Sequence, residues 1–402
     1  MPVAWLMALV LLVSLIPACG FGSEDDAPVA SVPATRTGSP GQPAESTATD
    51  PEAIALSGHT GDVRAVAWSP DGTLLATAAD GLSSTDETLR LWDAAGTLVA
   101  ELPGQARAIT GLSWSADSSL LAGAGTDGVV RLWSRDGALS STIVVAADPP
   151  TPLAAMAWSP VGSLLATAVV QPNDPATPSQ IVTLPAIVQL WQPDGSKACS
   201  FEIEHTIQGI VHLAWSSDGS RLAAGGNDLH VWETSGTELF TVPGGEFDFH
   251  PSMGYSPDGN LLAYTDVTGT MQIHSLDDGA RVSAGSVGVD PSITFSPDSS
   301  LIAVASGLLM LVVSSDSPIE SRVDAATNGV ESPPVWSLDG QYLAVGVARR
   351  AVALAAADGS AITILTGCDG LVSALDWSPD GATIAAGFVD GQLCLWDVES
   401  LT

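Results

Sequence analysis

The sequence predicts an all-β chain in which eight copies of a four-stranded unit form a closed ring, and three observations carry that expectation. The first is Trp68-Ser69-Pro70-Asp71-Gly72, an aromatic residue followed by a Ser-Pro-Asp-Gly turn or a close variant. The chain writes it eight times, beginning at Trp68, Trp114, Trp158, Trp215, Tyr255, Phe295, Trp336 and Trp377. The second is a later column: Leu91-Trp92-Asp93, Leu132-Trp133-Ser134, Leu190-Trp191-Gln192, Val231-Trp232-Glu233 and Leu395-Trp396-Asp397. In repeats five, six and seven that column reads His274, Val312 and Ala355. The third is the spacing, with intervals of 46, 44, 57, 40, 40, 41 and 41 residues between successive first marks. Eleven of the twelve tryptophans fall in the two columns, Trp5 being the exception. A period near forty with short strand-like stretches between turn residues is the size of one β-propeller blade.

Taken in order, the chain opens with an apolar run, Val3 to Ile16, broken only by Ser14. It is too short to span a bilayer comfortably and has the size of a signal-peptide core. The run ends in Leu15-Ile16-Pro17-Ala18-Cys19-Gly20, which resembles a bacterial lipobox. That resemblance implies cleavage after Ala18 and lipid attachment at Cys19; an ordinary secretory peptide with an incidental cysteine is the other account. Residues 19–51 are rich in Pro, Ser, Thr and Ala with almost no large apolar side chain. Such a segment cannot bury enough surface to offset the entropy of ordering and reads as a flexible tether. Residues 52–402 are the repeat domain.

Repeat one shows how a unit is built. Val63 to Trp68 and Leu74 to Ala79 read as strands joined by the Ser69–Gly72 turn, and Leu89 to Trp92 reads as a third. Pro70 presets φ in that turn and Gly72 supplies a positive one. Ile54-Ala55-Leu56 stands as a spare strand ahead of the first full set, while the chain given stops too soon after Asp397 to complete the last one. Pairing the spare strand with the last unit closes the ring and removes two exposed edges. Eight blades follow; seven blades plus one degenerate repeat outside the ring is the alternative.

Gly58-His59, the W-S-P-D-G turn and Trp92-Asp93 together resemble the WD-repeat (WD40) family of β-propellers, over about 350 residues. In that family a His, an Asp from the second hairpin and the late Trp form a hydrogen-bonded structural set. The resemblance carries this role to His59, Asp86 and Trp92 in repeat one and to Asp127 and Trp133 in repeat two. In repeat eight it reaches Asp390 and Trp396, where Gly367-Cys368 replaces Gly-His. The S-P-D-G turn is also similar to that of related periplasmic propellers.

Charge narrows the function. There are 45 acidic and 12 basic side chains, net −33, and Lys197 is the only lysine. A field of that sign repels phosphate backbones and anionic membrane surfaces, which excludes non-specific nucleic-acid binding and leaves membrane contact to a lipid anchor. No cofactor or metal centre is expected. The six histidines, His59, His205, His212, His230, His250 and His274, show no compact ligand spacing. There is no G-x-S-x-G elbow, Walker loop or dinucleotide fingerprint, so the chain reads as non-enzymatic. Cys199, Cys368 and Cys394 remain beside Cys19. Cys368 and Cys394 share a blade, so a disulfide could lock the closure; two buried free thiols are the other account.

Blade three carries about fourteen extra residues, Val170 to about Pro185, and blade one about five, around Gly81 to Thr85. In the family these hairpins open on the same face as the loops leading into the innermost strands, and insertions gathered on one face of a repeat array often mark a binding face; tolerated surface drift is the other account. The positions six and four residues before each first aromatic are mostly apolar, apart from Asp62 and Arg64. Asp62, Arg64, Phe249, Val289, Pro291 and Leu371 are the candidate binding-face residues, suited to a polypeptide or an apolar ligand. The expected function is an exported, membrane-displayed protein-interaction scaffold. A sensor or carrier of a small ligand in the channel, and an enzyme with catalytic groups scattered over the blades, are the alternatives.

Overall fold

The computed structural model describes residues 53–398, apart from 80–85, 87, 104–108, 147–150, 171–183, 207–211, 227, 243–251, 266–268, 278–279, 288–290, 307–308, 316–331, 348–350 and 359–361. The leader expected over 1–18, the tether over 19–51 and Cys19 lie outside the described residues.

Among these residues all regular structure is β, arranged as eight antiparallel sheets in sequence order. Blade one is Val63–Trp68, Leu74–Ala79, Leu89–Asp93 and Leu98–Leu102, from the centre outward. Seven sheets have four strands, and blade six has three described ones, Ser292–Phe295, Leu301–Ser306 and Leu309–Ser314. Blade eight takes Val372–Trp377, Thr383–Phe388 and Leu393–Asp397 from one end of the sequence and Ile54–Leu56 from the other. The register is Ile54 with Leu395, Ala55 with Cys394 and Leu56 with Leu393. Eight blades closed by an N-terminal strand is therefore the architecture, and the seven-blade alternative falls.

Innermost strands pack side by side around the ring, and that of blade eight lies against that of blade one. Two further bonds tie that junction. The Ser373 hydroxyl donates to the Val63 carbonyl, and the Trp68 amide donates to Asp376 Oδ2 at 2.7 Å. The second strands carry the core: every residue of Leu74–Ala79 is buried. Their small side chains let neighbouring sheets approach, so each apolar cluster spans two blades. Leu74, Ala76, Leu89 and Leu91 of blade one, for example, pack with Trp114, Leu121 and Trp133 of blade two. Each such buried leucine stabilises the fold by about 1.5–3 kcal/mol. Outer strands alternate toward water instead, as in Leu98–Leu102.

The turn motif has a bonding reason for each residue. In blade one, Ser69 Oγ donates to Asp71 Oδ1 at 2.7 Å and accepts the Leu74 amide at 3.0 Å, while the Gly72 amide closes onto the Ser69 carbonyl at 2.8 Å. Gly72 has φ +70°. Ser115–Asp117, Ser216–Asp218, Ser256–Asp258, Ser296–Asp298, Ser337–Asp339 and Ser378–Asp380 repeat the serine–aspartate bond. Where glycine is missing, Ser118 and Ser299 adopt the left-handed conformation, at φ 58° and 65°. Each accepts the backbone N–H of the preceding blade's turn aspartate at 3.0 Å, Asp71 and Asp258 respectively. A bond between blades thus accompanies local strain.

Two expectations change. Leu75 pairs with Trp92 in blade one, and its equivalent Ile302 pairs with Val313. The late column in blade six is therefore Val313 rather than Val312: a count along the chain missed a hairpin one residue shorter than its neighbours. Cys368 and Cys394 are joined as a disulfide, which decides between the two accounts of them, and Cys199 is free.

Candidate interaction face

In each blade the innermost strand begins and the second strand ends on the side opposite the Ser-Pro-Asp-Gly turn, and the leading loop and second hairpin attach there. In blade one the two are tied together. His59, in the leading loop, places Nε2 2.8 Å from Thr77 Oγ1 on the second strand. Trp92 Nε1, on the third strand, donates to the same oxygen at 2.9 Å. Arg90 Nη1 donates to His59 Nδ1 at 2.7 Å, so the neutral ring carries its proton on Nε2 and gives it to Thr77. Asp86, in the hairpin, lies 3.4 Å from His59 Nδ1 and accepts the Thr60 amide at 2.6 Å and the Thr88 hydroxyl.

Electrostatics holds this set in one state. Burial, with the Arg90 guanidinium beside it, pushes the His59 imidazolium down to about 4. Burial alone would raise Asp86. The bonds from Thr88 and Thr60, with His59 and Arg90 close by, hold it at about 2 instead. A neutral histidine and an ionised aspartate, both enclosed, make a clamp rather than an acid–base pair.

The other blades keep parts of this clamp. In blade two Arg131 Nη2 donates to Asp127 Oδ2 at 2.8 Å. Gly123 stands in Thr77's place there, and a Cβ on it would meet the Trp133 ring at 2.8 Å. The Trp133 indole donates to the Pro103 carbonyl at 3.0 Å instead. In blade eight Trp396 donates likewise to the Thr366 carbonyl at 2.7 Å, and Asp390 is bonded by the Gln392 amide at 3.1 Å. Blade three keeps the threonine, with Trp191 Nε1 on Thr167 Oγ1 at 2.9 Å. Thr77 and Thr167 were missed in the sequence although the signal was there: Leu75-Ala76-Thr77-Ala78 recurs as Leu165-Ala166-Thr167-Ala168.

The structure divides the six candidate face residues. Arg64 has a side chain 46% exposed, and Leu371, on the neighbouring blade eight, is 43% exposed. Asp62 is buried and bonded to Arg64 at 2.9 Å, and Pro291 is buried too, so neither presents a surface to a partner. This corrects the expectation for those two, which stand immediately before the innermost strands Val63–Trp68 and Ser292–Phe295 and are already buried there. Phe249 and Val289 lie outside the described residues, as does most of the blade-three insertion. Among the described residues no group of three His, Cys, Asp or Glu side chains is placed to hold a metal ion.

Comparison with known proteins agrees with this geometry. The family model "WD domain, G-beta repeat" matches residues 51–93, 96–134, 190–232 and 359–397. Over 187 residues, 45% of this chain and 21% of the other, the chain is 27% identical to intraflagellar transport protein 80 homolog of Mus musculus. Over 191 residues, 42% of this chain and 19% of the other, it is 27% identical to protein HIR1 of Cryptococcus neoformans var. neoformans serotype D. Over 133 residues, 29% of this chain and 24% of the other, it is 30% identical to the F-box-like/WD repeat-containing protein TBL1X of Mus musculus. The chain thus spans about a fifth to a quarter of the length of these relatives, and both comparisons support the WD-repeat family.

Proposed function

We propose, from the premise that four stretches of this chain are WD repeats in an eight-bladed ring, that the protein is a non-enzymatic scaffold that binds another protein. The observation that carries this reading is that Arg64 and Leu371, at the loop ends of the innermost strands of two adjacent blades, are both exposed, the Arg64 side chain at 46% and Leu371 at 43%. Arg64, ion-paired with the buried Asp62, and the exposed leucine lie on the same side of the ring of a chain of net charge −33. Exposed apolar side chains beside an arginine are the ingredients of a protein-binding hot spot. A rigid ring holds them at little cost in conformational entropy on binding. The neutral, enclosed His59 supports a structural rather than a catalytic use of the blade-one set.

The same reading puts the ring outside the cytoplasmic membrane, held by a lipid on Cys19 and spaced by the tether of residues 19–51. The lipobox-like run Leu15 to Gly20 supports this, and so does an acidic surface that a bare anionic membrane repels.

Affinity capture from membranes tests both parts. The native chain is expected in the membrane fraction with a stoichiometric protein partner. Arg64→Glu with Leu371→Asp should lose the partner while remaining folded by circular dichroism, and Cys19→Ala should leave the membrane. Undiminished capture by the double variant would sink the loop-side assignment. Continued membrane association of Cys19→Ala would sink the anchor. No protein partner, with a metabolite-dependent rise in Tm, would replace the scaffold by a small-ligand carrier.

A further inference from the structure

A second site lies at the opposite end of the blades, among the Ser-Pro-Asp-Gly turns, and the protein carries its own pattern for it. Between blades one and two, Arg135 reaches back from the hairpin after the third strand of blade two. Its Nη1 donates to Asp71 Oδ2 at 2.5 Å and to the Ser118 carbonyl at 3.2 Å, and its Nη2 donates to Thr73 Oγ1 at 2.6 Å. A guanidinium therefore fills the notch between two successive turns.

The equivalent notch between blades seven and eight has no such side chain. There Asp339 stands for Asp71, Gly381 for Ser118 and Leu338 for Pro70. Val398 stands for Arg135 and is fully buried. What remains is a cavity of about 210 Å3 lined by Ser337, Leu338, Asp339, Asp380 and Gly381. Asp339 Oδ1 is occupied by the Ser337 hydroxyl at 2.6 Å and the Gln341 amide at 3.0 Å. Asp380 Oδ1 is occupied by Ser378 at 2.6 Å and the Ala382 amide at 3.0 Å. Those bonds orient both carboxylates and leave the second oxygen of each for a ligand. Leu338 replaces the proline found in five of the other turns and is 63% exposed, giving the notch an apolar wall.

We propose that this cavity is a docking pocket for an arginine side chain of a partner polypeptide, the intermolecular counterpart of the seat that Arg135 fills from within. Arginine fits better than lysine because its planar fork can bond two carboxylates at once while its stem lies on Leu338. The pocket relies on the scaffold reading only in taking a polypeptide. It lies away from Arg64 and Leu371, so the two assignments fail separately.

Titration of the full chain with the peptide acetyl-Gly-Arg-Gly-amide tests it, by calorimetry or NMR. Saturable binding at one site is expected, at least about tenfold weaker for the lysine peptide and absent for the citrulline peptide. Asp339→Asn should weaken it about tenfold or more. Leu338→Pro, which installs the residue of five of the other turns and so preserves the fold, should weaken it as well. Asp298→Asn, a turn aspartate of blade six outside the cavity, should leave it unchanged. Arg135→Ala should open the matching notch and raise the stoichiometry from one to two. Equal binding of the citrulline peptide, an equal loss in Asp298→Asn, or a stoichiometry still at one in Arg135→Ala would overturn the proposal.

Discussion

Cys368 is bonded to Cys394 at the two positions that His59 and Arg90 hold in blade one. Gly367-Cys368 takes the place of Gly58-His59, and Leu393-Cys394-Leu395-Trp396 that of Leu89-Arg90-Leu91-Trp92. A 2.7 Å contact from leading loop to third strand in one blade is covalent in the other. The difference falls where the ring closes. Cys394 pairs with Ala55 of the closing strand, and Ala53 packs against Gly367 so closely that a Cβ there would sit 2.7 Å from its own.

Removing that bond should loosen the closure first. The cysteines are 26 residues apart, for which chain entropy gives about 3–4 kcal/mol. Cys368→Ala with Cys394→Ala is expected to lower Tm by several degrees and to speed hydrogen exchange at Ile54–Leu56 before other strands. Calorimetry and exchange mass spectrometry would read both, and an unchanged Tm would count against the bond as a staple.

Thr77 is the shared acceptor of the blade-one clamp. Thr77→Val keeps its shape and strands two enclosed donors, His59 Nε2 and Trp92 Nε1. A loss of about 2–4 kcal/mol in urea unfolding is expected. Thr73→Val, on the exposed turn, should cost far less.

Two groups oppose one another in acid. His59 is pushed down to about 4, so the unfolded state binds the extra proton between about 4 and 6.5, and this term raises stability as pH rises. Burial pushes Asp376 up to about 6, so the folded state binds the extra proton between about 3.8 and 6, and this term lowers stability as pH rises. The two slopes nearly cancel. Asp376→Asn keeps one acceptor for the Trp68 N–H and loses the one that takes the Trp377 N–H at 3.0 Å, and with the Asp376 contribution gone its stability should fall steadily as pH falls from 6.5 to 4. Denaturant midpoints at half-unit steps would show it; a flat profile in the variant would refute the Asp376 assignment.

Ser299 joins a left-handed backbone to a bond between blades. Ser299→Ala keeps the strain and orphans the Asp258 amide, and should cost about 1 kcal/mol or more. Ser299→Gly relieves the strain while losing the same bond, and should come out milder. Urea midpoints of the pair would separate the two terms.

The blades were legible because the large aromatics recur at fixed places, and burying a tryptophan between sheets leaves little freedom in spacing. The ring closure was legible from Ile54–Leu56 alone, a strand without a blade of its own. Finer features were not. Thr77 reads as an ordinary strand former until its neighbours are seen. The slip from Val313 to Val312 came from hairpin length, which only pairing settles. Asp62 and Pro291 looked like rim residues because the period places them before the first strand without saying that they are buried there. The Arg135 seat could not be read at all, since its acceptors come from two different repeats.

That the strand at Ile54–Leu56 belongs to the same sheet as Leu393–Asp397 has a consequence for how the chain is made. During vectorial synthesis seven blades can form one after another as they leave the ribosome, each from nearby residues. The eighth cannot be completed until nearly the whole repeat domain has emerged. This contact of highest sequence separation makes the final step slow. Until it happens two open sheet edges face solvent, and nascent chains are exposed to misassembly with one another.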